Sequence, residues 1–386
     1  MKRLMILMLA ILFAGAGFAQ TADTNVQQPA PAPEVKQEVK EEKKEKKEDK
    51  KDDKPEIKQG FTIFAGYLWN PSTIQGNATN FNSFTLSRAF IDFNVDFKNG
   101  MTLRVTPDIN LTTSGWILRL RNAALNWKLL DELTLSFGLI PTEWIPFADD
   151  IAGIRYITPS APDRLGLRSS VDIGLSLTVR PIKGIEGFVG VFDGNGFGRG
   201  SDSIQTNLGF INVTKEVGGR LLVAPLFLLT GDTNYQNIYI GLHTYNTIIP
   251  TPDMTNASGT EIYGVGLGVN FSPIRLFVNY SLVNFVRAYV STINANYFTV
   301  AGKINFGFVG LKELSIIGGF YTYDPNINVS DKEQNFYLGG LEFVFNKYLT
   351  VSGNVKIDQR KDEYKAFNNS TSDYQTILGI DTLIRL

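Results

Sequence analysis

The chain of 386 residues contains no cysteine and a single histidine, His243. The lack of cysteine excludes a disulfide scaffold, a thiolate metal site and a cysteine nucleophile. A single histidine removes zinc sites built from several histidines and His-based catalytic triads. We therefore predict no enzyme activity, no catalytic residue, no metal and no cofactor, and we interpret His243 as an ordinary strand residue.

Long apolar runs are also scarce. The one such run, LMILMLAILFAGAGF at residues 4–18, follows the basic start Met1-Lys2-Arg3 and ends in the small-residue site Gly17-Phe18-Ala19 before Gln20. A short basic region, an apolar region and a small-residue cleavage site are typical of a secretory signal peptide. We predict a signal peptide at residues 1–19, with a membrane anchor as the alternative. No later run reaches the roughly 18 apolar residues of a spanning helix.

Residues 20–58 are poor in apolar side chains. A Pro/Ala-rich part is followed by residues 34–58, which hold ten Lys and ten Asp or Glu. We interpret 20–58 as a solvated tether. The alternative is a periplasmic arm that contacts the cell wall or another envelope protein through residues 34–58. Residues 59–386 hold 25 Lys+Arg and 27 Asp+Glu, which nearly balance and give no support for nucleic-acid binding.

Residues 59–386 show no helical periodicity and read as a series of strands. Each segment has about nine or more residues, enough to cross a bilayer when tilted. Short connections mostly alternate with long loops, as in outer-membrane barrels. The sixteen predicted strands are 60–69, 81–97, 101–111, 116–127, 131–140, 169–181, 185–193, 217–229, 235–247, 260–271, 274–288, 296–308, 312–323, 333–345, 348–359 and 373–386.

Many of these segments alternate between an apolar and a polar face, although 217–229, 312–323 and 333–345 alternate poorly. In an outer-membrane barrel the apolar face meets lipid and the polar face lines a wet lumen. We predict interfacial aromatic girdles from Tyr67, Trp69, Trp116, Trp127, Tyr280, Tyr321, Tyr323, Phe345 and Tyr348. We predict that the polar phase of the second to fourth strands lines a pore through Arg88, Asp92, Arg104, Asp108, Arg119 and Arg121.

Two interpretations of this polar wall stay open. Arginine keeps its charge and offers a planar fork for oxyanions, so the arginines could guide anions, with Arg180 and Arg220 extending the series. Alternatively, Asp92, Asp96 and Asp108 could form salt bridges with them that stiffen the wall.

Residues 141–168 form the longest connection, which is the third loop on the external side. We predict that it folds inward as a constriction loop, where opposed charges select solutes by size and charge. The alternative is a surface loop with solvated charges. The predicted constriction residues are Glu143, Asp149, Asp150, Arg155, Asp163, Arg164 and Arg168.

Four stretches carry a resemblance to a known family: LSRAFIDFNVDFKNGMTLRVTPDI (86–109), LTLSFGLIPTEWIPF (133–147), DRLGLRSSVDIGLSL (163–177) and GGRLLVAPL (218–226). Here the chain resembles the phosphate-selective porin O and P family. The resemblance implies a 16-stranded, trimeric diffusion channel with an inward third loop. It also implies an arginine ladder, which Arg88, Arg104, Arg119 and Arg121 match loosely. The lysine-rich constriction of that family has no counterpart, because residues 141–168 contain no lysine.

We therefore predict a 16-stranded antiparallel transmembrane β-barrel at residues 59–386, located in the outer membrane of a Gram-negative-type bacterium, with the tether in the periplasm. The predicted function is passive diffusion of small hydrophilic solutes, with a preference for anions. The predicted partners are outer-membrane lipid, small polar or anionic solutes and two further copies in a homotrimer. The alternatives are a structural barrel that tethers the envelope through its charged arm, an outer-membrane enzyme and a soluble β-sandwich.

Overall fold

The computed structural model of the chain describes residues 54–71, 73–74, 77–78, 81–112, 115–194, 196, 215–248, 258–287, 290–329, 333–360 and 374–386. The predicted signal peptide and most of the predicted tether lie outside the described residues. The long strands are β1 Glu56–Asn70, β2 Phe81–Asp96, β3 Met101–Thr112, β4 Gly115–Leu130, β5 Leu133–Pro141, β6 Val171–Ile182, β7 Ile185–Phe192, β8 Lys215–Val223, β9 Ile238–Ile248, β10 Ser258–Phe271, β11 Ile274–Arg287, β12 Val290–Phe306, β13 Leu311–Asp324, β14 Gln334–Asn346, β15 Leu349–Arg360 and β16 Tyr374–Arg385.

These sixteen strands form one closed antiparallel barrel, which confirms the predicted fold class. Each strand pairs with its neighbours in sequence, and β1 closes the barrel by pairing with β16, with Thr62 opposite Arg385. Closure leaves no unpaired strand edge. Because the strand number is even, Glu56 and Arg385 lie at the same end. We call this end the lower end and the opposite end the upper end.

Strand β1 begins at Glu56, so the last three residues of the predicted tether belong to the barrel. A short hairpin of Thr73–Ile74 and Asn77–Ala78 lies in the connection between β1 and β2. Bulges adjust the register at several places. One lies at Thr106/Pro107 on β3, where proline has no N–H for the ladder.

The outward face of the barrel is apolar and exposed. Phe137 is 62% exposed and Leu341 54%, although each lies in the middle of a strand. Such a continuous apolar exterior is typical of strands that face lipid. The predicted girdle residues Trp69, Trp116, Trp127, Tyr280, Phe345 and Tyr348 belong to this exposed surface. The prediction is wrong for Tyr321 and Tyr323, which are buried inside the barrel.

Although the sequence shows no helical periodicity, the described residues include three short α-helices in the connections between strands: α1 Trp144–Ala152, α2 Ala161–Arg164 and α3 Pro225–Thr230. The eighth strand was predicted to continue to residue 229, but it ends at Val223. Pro225 then starts α3, because proline cannot donate to a ladder but fits the first turn of a helix. Among the described residues, no helix is long and apolar enough to cross a membrane.

The inside of the barrel holds a hydrophobic core rather than a uniformly polar lining. It combines residues of α1 and the segment after it with inward side chains from many strands. On β13, for example, Ile317 and Tyr321 are buried inside while Ile316 is exposed outside. Strands with apolar residues on both faces cannot alternate clearly. This explains the poor alternation of the predicted strands 217–229, 312–323 and 333–345.

Candidate functional site

The lumen is shaped by the connection between β5 and β6, residues 142–170, which we call the inner loop. It leaves β5 at Pro141 partway up the barrel, since Leu139 lies opposite Ala123 while β4 continues up to Gly115, and it packs against inward side chains of the wall. Its first helix, α1, is placed by Trp144, whose side chain is 1% exposed. The indole ring stacks on the His243 ring of β9, with centroids 4.1 Å apart. The backbone N–H of Trp144 donates to the Tyr245 hydroxyl at 3.2 Å.

Glycines on β9 and β10 make room for this indole ring. A Cβ atom on Gly241 would lie 2.7 Å from one Trp144 ring carbon, and a Cβ atom on Gly266 would lie 2.9 Å from another. Both distances are shorter than real Cβ contacts, so the ring packs directly on the backbone of the wall. Here the expectation that His243 is an ordinary strand residue misses its contact with the inner loop.

A second set of contacts holds the inner loop to β13, β14 and β15. The Tyr156 hydroxyl donates to the Glu342 carboxylate at 2.9 Å, and Lys303 contacts the other oxygen of that carboxylate at 2.6 Å. Burial and the nearby Glu342 charge raise the pKa of the Tyr156 phenol, which keeps it protonated as a donor. These contacts connect the loop to a wall far from β5 and β6.

Arg164 extends this attachment. Its guanidinium donates to the Tyr321 hydroxyl, lies 3.4 Å from the Asp358 carboxylate and stacks 4.0 Å from the Phe336 ring centroid. A guanidinium that combines an ion pair with an aromatic face is held in one orientation. The inner loop is therefore fixed by packing, hydrogen bonds and charge together.

All seven predicted constriction residues lie in the inner loop, and each has an opposite charge within 4 Å. Arg155 lies 3.2 Å from Asp149 and 2.6 Å from Asp163. The remaining pairs are Glu143 with Arg220 at 3.2 Å, Asp150 with Arg275 at 3.8 Å, Arg164 with Asp358, and Arg168 with Asp172 at 3.6 Å and with Glu216. Their role in a constriction stays a prediction.

Three of the four arginines of the predicted pore wall form ion pairs with aspartates, in two separate groups. Arg104 lies 2.7 Å from Asp92, with both side chains partly exposed. Higher in the barrel, Asp108 is fully buried and lies 3.0 Å from Arg119 and 3.8 Å from Arg88. These contacts match the interpretation of a wall stiffened by salt bridges. That these residues line a conducting path stays a prediction.

Arg121 differs from the other three arginines. Among the described residues, no carboxylate lies within ion-pair distance of Arg121, and its guanidinium lies 4.5 Å from the Phe90 ring centroid. Its Nε atom is buried without a hydrogen-bond acceptor. Arg121 therefore brings a positive charge that the wall does not neutralise by direct contact.

A cavity of about 500 Å³ lies below α1, between the inner loop and the lower ends of β6 to β10. Its polar lining includes Glu143, Arg180, Glu186 and Arg220. Arg220 donates to Glu186 and to the backbone carbonyl of Glu143. Glu186 was not among the predicted site residues, because a single acidic residue at the start of a strand does not indicate that it lines a cavity.

No family model and no curated protein matches the chain. Solved structures of outer-membrane proteins do match it. The anion-selective porin from Comamonas acidovorans is 14% identical, with 86% of this chain and 100% of that chain covered and a TM-score of 0.58. OprB of Pseudomonas putida is 11% identical, with 86% and 94% covered and a TM-score of 0.60. OmpT, an outer membrane protein of Vibrio cholerae, is 12% identical, with 86% and 98% covered and a TM-score of 0.57.

At these low sequence identities, the similarity shows a shared fold and nothing more. The chain has the architecture of 16-stranded outer-membrane proteins, including porins, over almost the whole length of those structures. The resemblance to phosphate-selective porins is not supported beyond this general porin architecture.

Proposed function

We propose that the protein is an outer-membrane porin through which small hydrophilic solutes diffuse. The observation that carries this proposal is a closed barrel with an apolar exterior, whose inner loop brings paired charges into the lumen. The exterior fits the acyl chains of a bilayer, and the charged side chains of the inner loop and the wall fit hydrated solutes. The short turns at the lower end agree with a periplasmic position for that end.

The proposed selectivity is a preference for anions. Arg88, Arg119 and Arg121 lie near each other on the wall, and Asp108 is the carboxylate in contact with two of them. The unpaired guanidinium of Arg121 leaves an excess of positive charge there. In a site of low dielectric, such a charge favours anions and repels cations.

Planar-bilayer measurements in asymmetric salt test the channel and its selectivity together. We expect an anion-selective reversal potential for the natural protein and a shift towards zero for Arg121→Gln. The double variant Arg104→Gln with Asp92→Asn is the matched control, because it removes an arginine together with its paired carboxylate and leaves the net charge unchanged. A cation-selective natural channel, or equal shifts for the two variants, would contradict the proposed role of Arg121. Absence of conductance would contradict the porin proposal itself.

The proposed assembly is a homotrimer in the outer membrane of a Gram-negative-type bacterium. One of the matched structures of Vibrio cholerae OmpT is described as a trimer form, at 12% identity and a TM-score of 0.55. Mass measurement of the detergent-solubilised protein, corrected for bound detergent, tests this state. A monomer at all protein concentrations would contradict it.

The packed interior also favours a second candidate function, a structural barrel that tethers the envelope. The inner loop and the wall share a buried apolar core that includes Trp144, Tyr297 and Phe336, and this core narrows any path through the lumen. A deletion of residues 20–53 spares β1 and separates the two functions. Loss of envelope attachment with unchanged conductance would favour a channel that also tethers, whereas loss of attachment without any conductance in either protein would favour the structural barrel.

A further inference from the structure

The connections at the lower end of the barrel differ in chemistry around its circumference. Two turn tips are charged and polar: Lys98-Asn99-Gly100 between β2 and β3, and Asp131-Glu132 between β4 and β5. On the other side, two connections expose apolar side chains. One contains α3, between β8 and β9, and the other is the turn at 307–311 between β12 and β13. We call these two segments the apolar feet.

The first apolar foot is a small helix without any charged residue, with the sequence PLFLLT. Leu229 is 82% exposed and Leu226 42% exposed. The helix is held by the turn between β6 and β7: the Ala224 N–H donates to the Gly184 carbonyl at 2.7 Å, and the Phe227 ring packs on Gly184. Leu228 packs beside Phe227 on Gly184, so the barrel holds this helix while Leu226 and Leu229 stay exposed.

The second apolar foot repeats this arrangement in a shorter turn. Phe308 is 66% exposed, Val309 60% and Leu311 52%. The turn is closed by the Gly310 N–H, which donates to the Gly307 carbonyl at 3.1 Å, and by the Asn305 side chain, which accepts from the Gly307 N–H at 2.8 Å. A closed turn presents Phe308 and Val309 in a fixed position.

The apolar feet continue the apolar exterior of the barrel. Leu221 and Ile240 belong to the strands on either side of the first foot and are 42% and 48% exposed. Each foot also has an exposed lysine beside it, Lys183 in the turn on which Phe227 packs and Lys312 after Leu311. Among the described residues, neither lysine has a carboxylate within 4 Å. Apolar side chains next to a free lysine fit a lipid surface, whose acyl chains lie below anionic phosphate groups.

We propose that the two apolar feet insert into the periplasmic leaflet of the outer membrane, at the boundary between acyl chains and headgroups, with Lys183 and Lys312 at the phosphates. The proposal rests on the proposed membrane location of the barrel. It assigns a lipid contact to one arc of the lower end, from β6 to β13. The charged turn tips at 98–100 and 131–132 stay in water.

The absence of cysteine makes a direct test possible, because a single introduced cysteine takes a spin label at one position only. The full chain is prepared as Leu229→Cys and as Phe308→Cys and reconstituted in bilayers of phosphatidylethanolamine and phosphatidylglycerol. Both side chains are mostly exposed; the Phe308 ring has one ring neighbour, Phe306, with centroids 6.0 Å apart. The measured quantity is the collision rate of each label with oxygen, which enters lipid, relative to that with a nickel chelate, which stays in water.

Two control positions calibrate this ratio. Val189→Cys lies on the outward face at 47% exposure and reports lipid. Asp131→Cys lies in a charged turn, at 89% side-chain exposure, and reports water. We expect oxygen-to-nickel ratios at positions 229 and 308 that are several-fold above the ratio at 131 and approach that at 189.

The alternative outcomes overturn the proposal in distinguishable ways. Ratios at 229 and 308 equal to that at 131, with a lipid-like ratio at 189, would place the feet in water and leave the porin proposal intact. Protection of 229 and 308 from both reagents would identify a contact with protein, such as a second copy, instead of lipid. A water-like ratio at 189 would overturn the membrane location and the lipid contact together.

Discussion

The indole ring of Trp144 lies on the imidazole ring of His243, with centroids 4.1 Å apart and an angle of 21° between the ring planes. His243 is fixed from its other side by Asn279 at 3.3 Å and Ser281 at 3.1 Å. The only histidine of the chain therefore connects the inner loop to β9 and β11. This connection predicts that the loop is a fixed part of the lumen and does not move freely.

Replacing Trp144 by alanine should release the first part of the inner loop. Removing a buried tryptophan side chain costs about 3–5 kcal/mol of packing free energy. Because α1 is attached to a closed barrel, we expect the barrel to persist while the loop detaches. Limited proteolysis should then cut within residues 142–170, and single-channel recordings should show a larger and noisier conductance.

Trp116→Ala is the matched control, since Trp116 is 52% exposed on the outside of the barrel. We expect this variant to keep the loop resistant to protease. Equal resistance in Trp144→Ala and the natural protein would show that the contacts of Tyr156 and Arg164 hold the loop without the stacked rings.

Gly241→Ala should disturb the same contact from the side of the wall. The new methyl group would lie 2.7 Å from the Trp144 ring and 2.9 Å from Leu222, and overpacking of this kind costs about 1–3 kcal/mol. We expect a lower urea midpoint for loop detachment, measured by tryptophan fluorescence. Gly353→Ala, where a methyl group meets no atom within 4 Å, should leave the midpoint unchanged.

A second substitution makes this prediction specific. Trp144→Leu provides space for the methyl group, so Gly241→Ala should cost less in the Trp144→Leu background than in the natural chain. Because Trp144→Leu removes the ring that reports by fluorescence, protease resistance of the inner loop is the readout for this pair. If Gly241→Ala lowered protease resistance equally in both backgrounds, its effect would not come from a clash between the new methyl group and the Trp144 ring.

The sequence predicted the barrel well because one physical constraint repeats sixteen times. Each strand needs an outward face that is apolar, and short and long connections must alternate, so many weak signals agree. The observed strand ends differ from the predicted ones by a few residues. At β1, for example, Glu56 and Lys58 belong to the strand, although their charges led us to place them in the tether.

The contacts of the lumen could not be predicted in the same way. The sequence placed the seven charged residues in one inward loop, but their partners Arg220, Arg275 and Asp358 lie far away in the chain. Trp144 gave no signal, because one tryptophan in a loop is equally compatible with an interfacial position. The pairing of Arg104 with Asp92 and of Arg119 with Asp108 depends on the register between neighbouring strands, which periodicity alone does not fix.

Tyr156 should make the stability of the protein sensitive to alkaline pH. The folded state raises the pKa of its phenol above the ordinary value, whereas the unfolded chain releases this proton at about pH 10. The contribution of Tyr156 to stability is therefore complete below about pH 10 and declines as the pH rises further. We expect the natural protein to lose more unfolding free energy than Tyr156→Phe between about pH 8 and about pH 11.

Urea unfolding at the two pH values measures this difference, and Tyr337→Phe is the control because Tyr337 is 41% exposed on the outside. At the lower pH, Tyr156→Phe should itself cost about 1–3 kcal/mol, since Glu342 loses a buried donor. Identical pH dependence in the natural protein and in Tyr156→Phe would contradict the protonated hydrogen bond to Glu342.

Asp108→Asn and Asp92→Asn should separate the effects of charge and burial on the arginine wall. Both carboxylates pair with arginine, but Asp108 is fully buried, whereas Asp92 and Arg104 are 22% and 45% exposed. Asp108→Asn removes a buried charge that faces Arg119 and Arg88 and should cost about 3–5 kcal/mol of stability. Breaking the exposed pair should cost no more than about 1 kcal/mol.

Because Asp108→Asn also adds net positive charge beside Arg121, it should raise the anion preference in asymmetric salt more than Asp92→Asn does. Equal effects of the two variants on unfolding and on reversal potential would show that burial of Asp108 does not distinguish the two pairs.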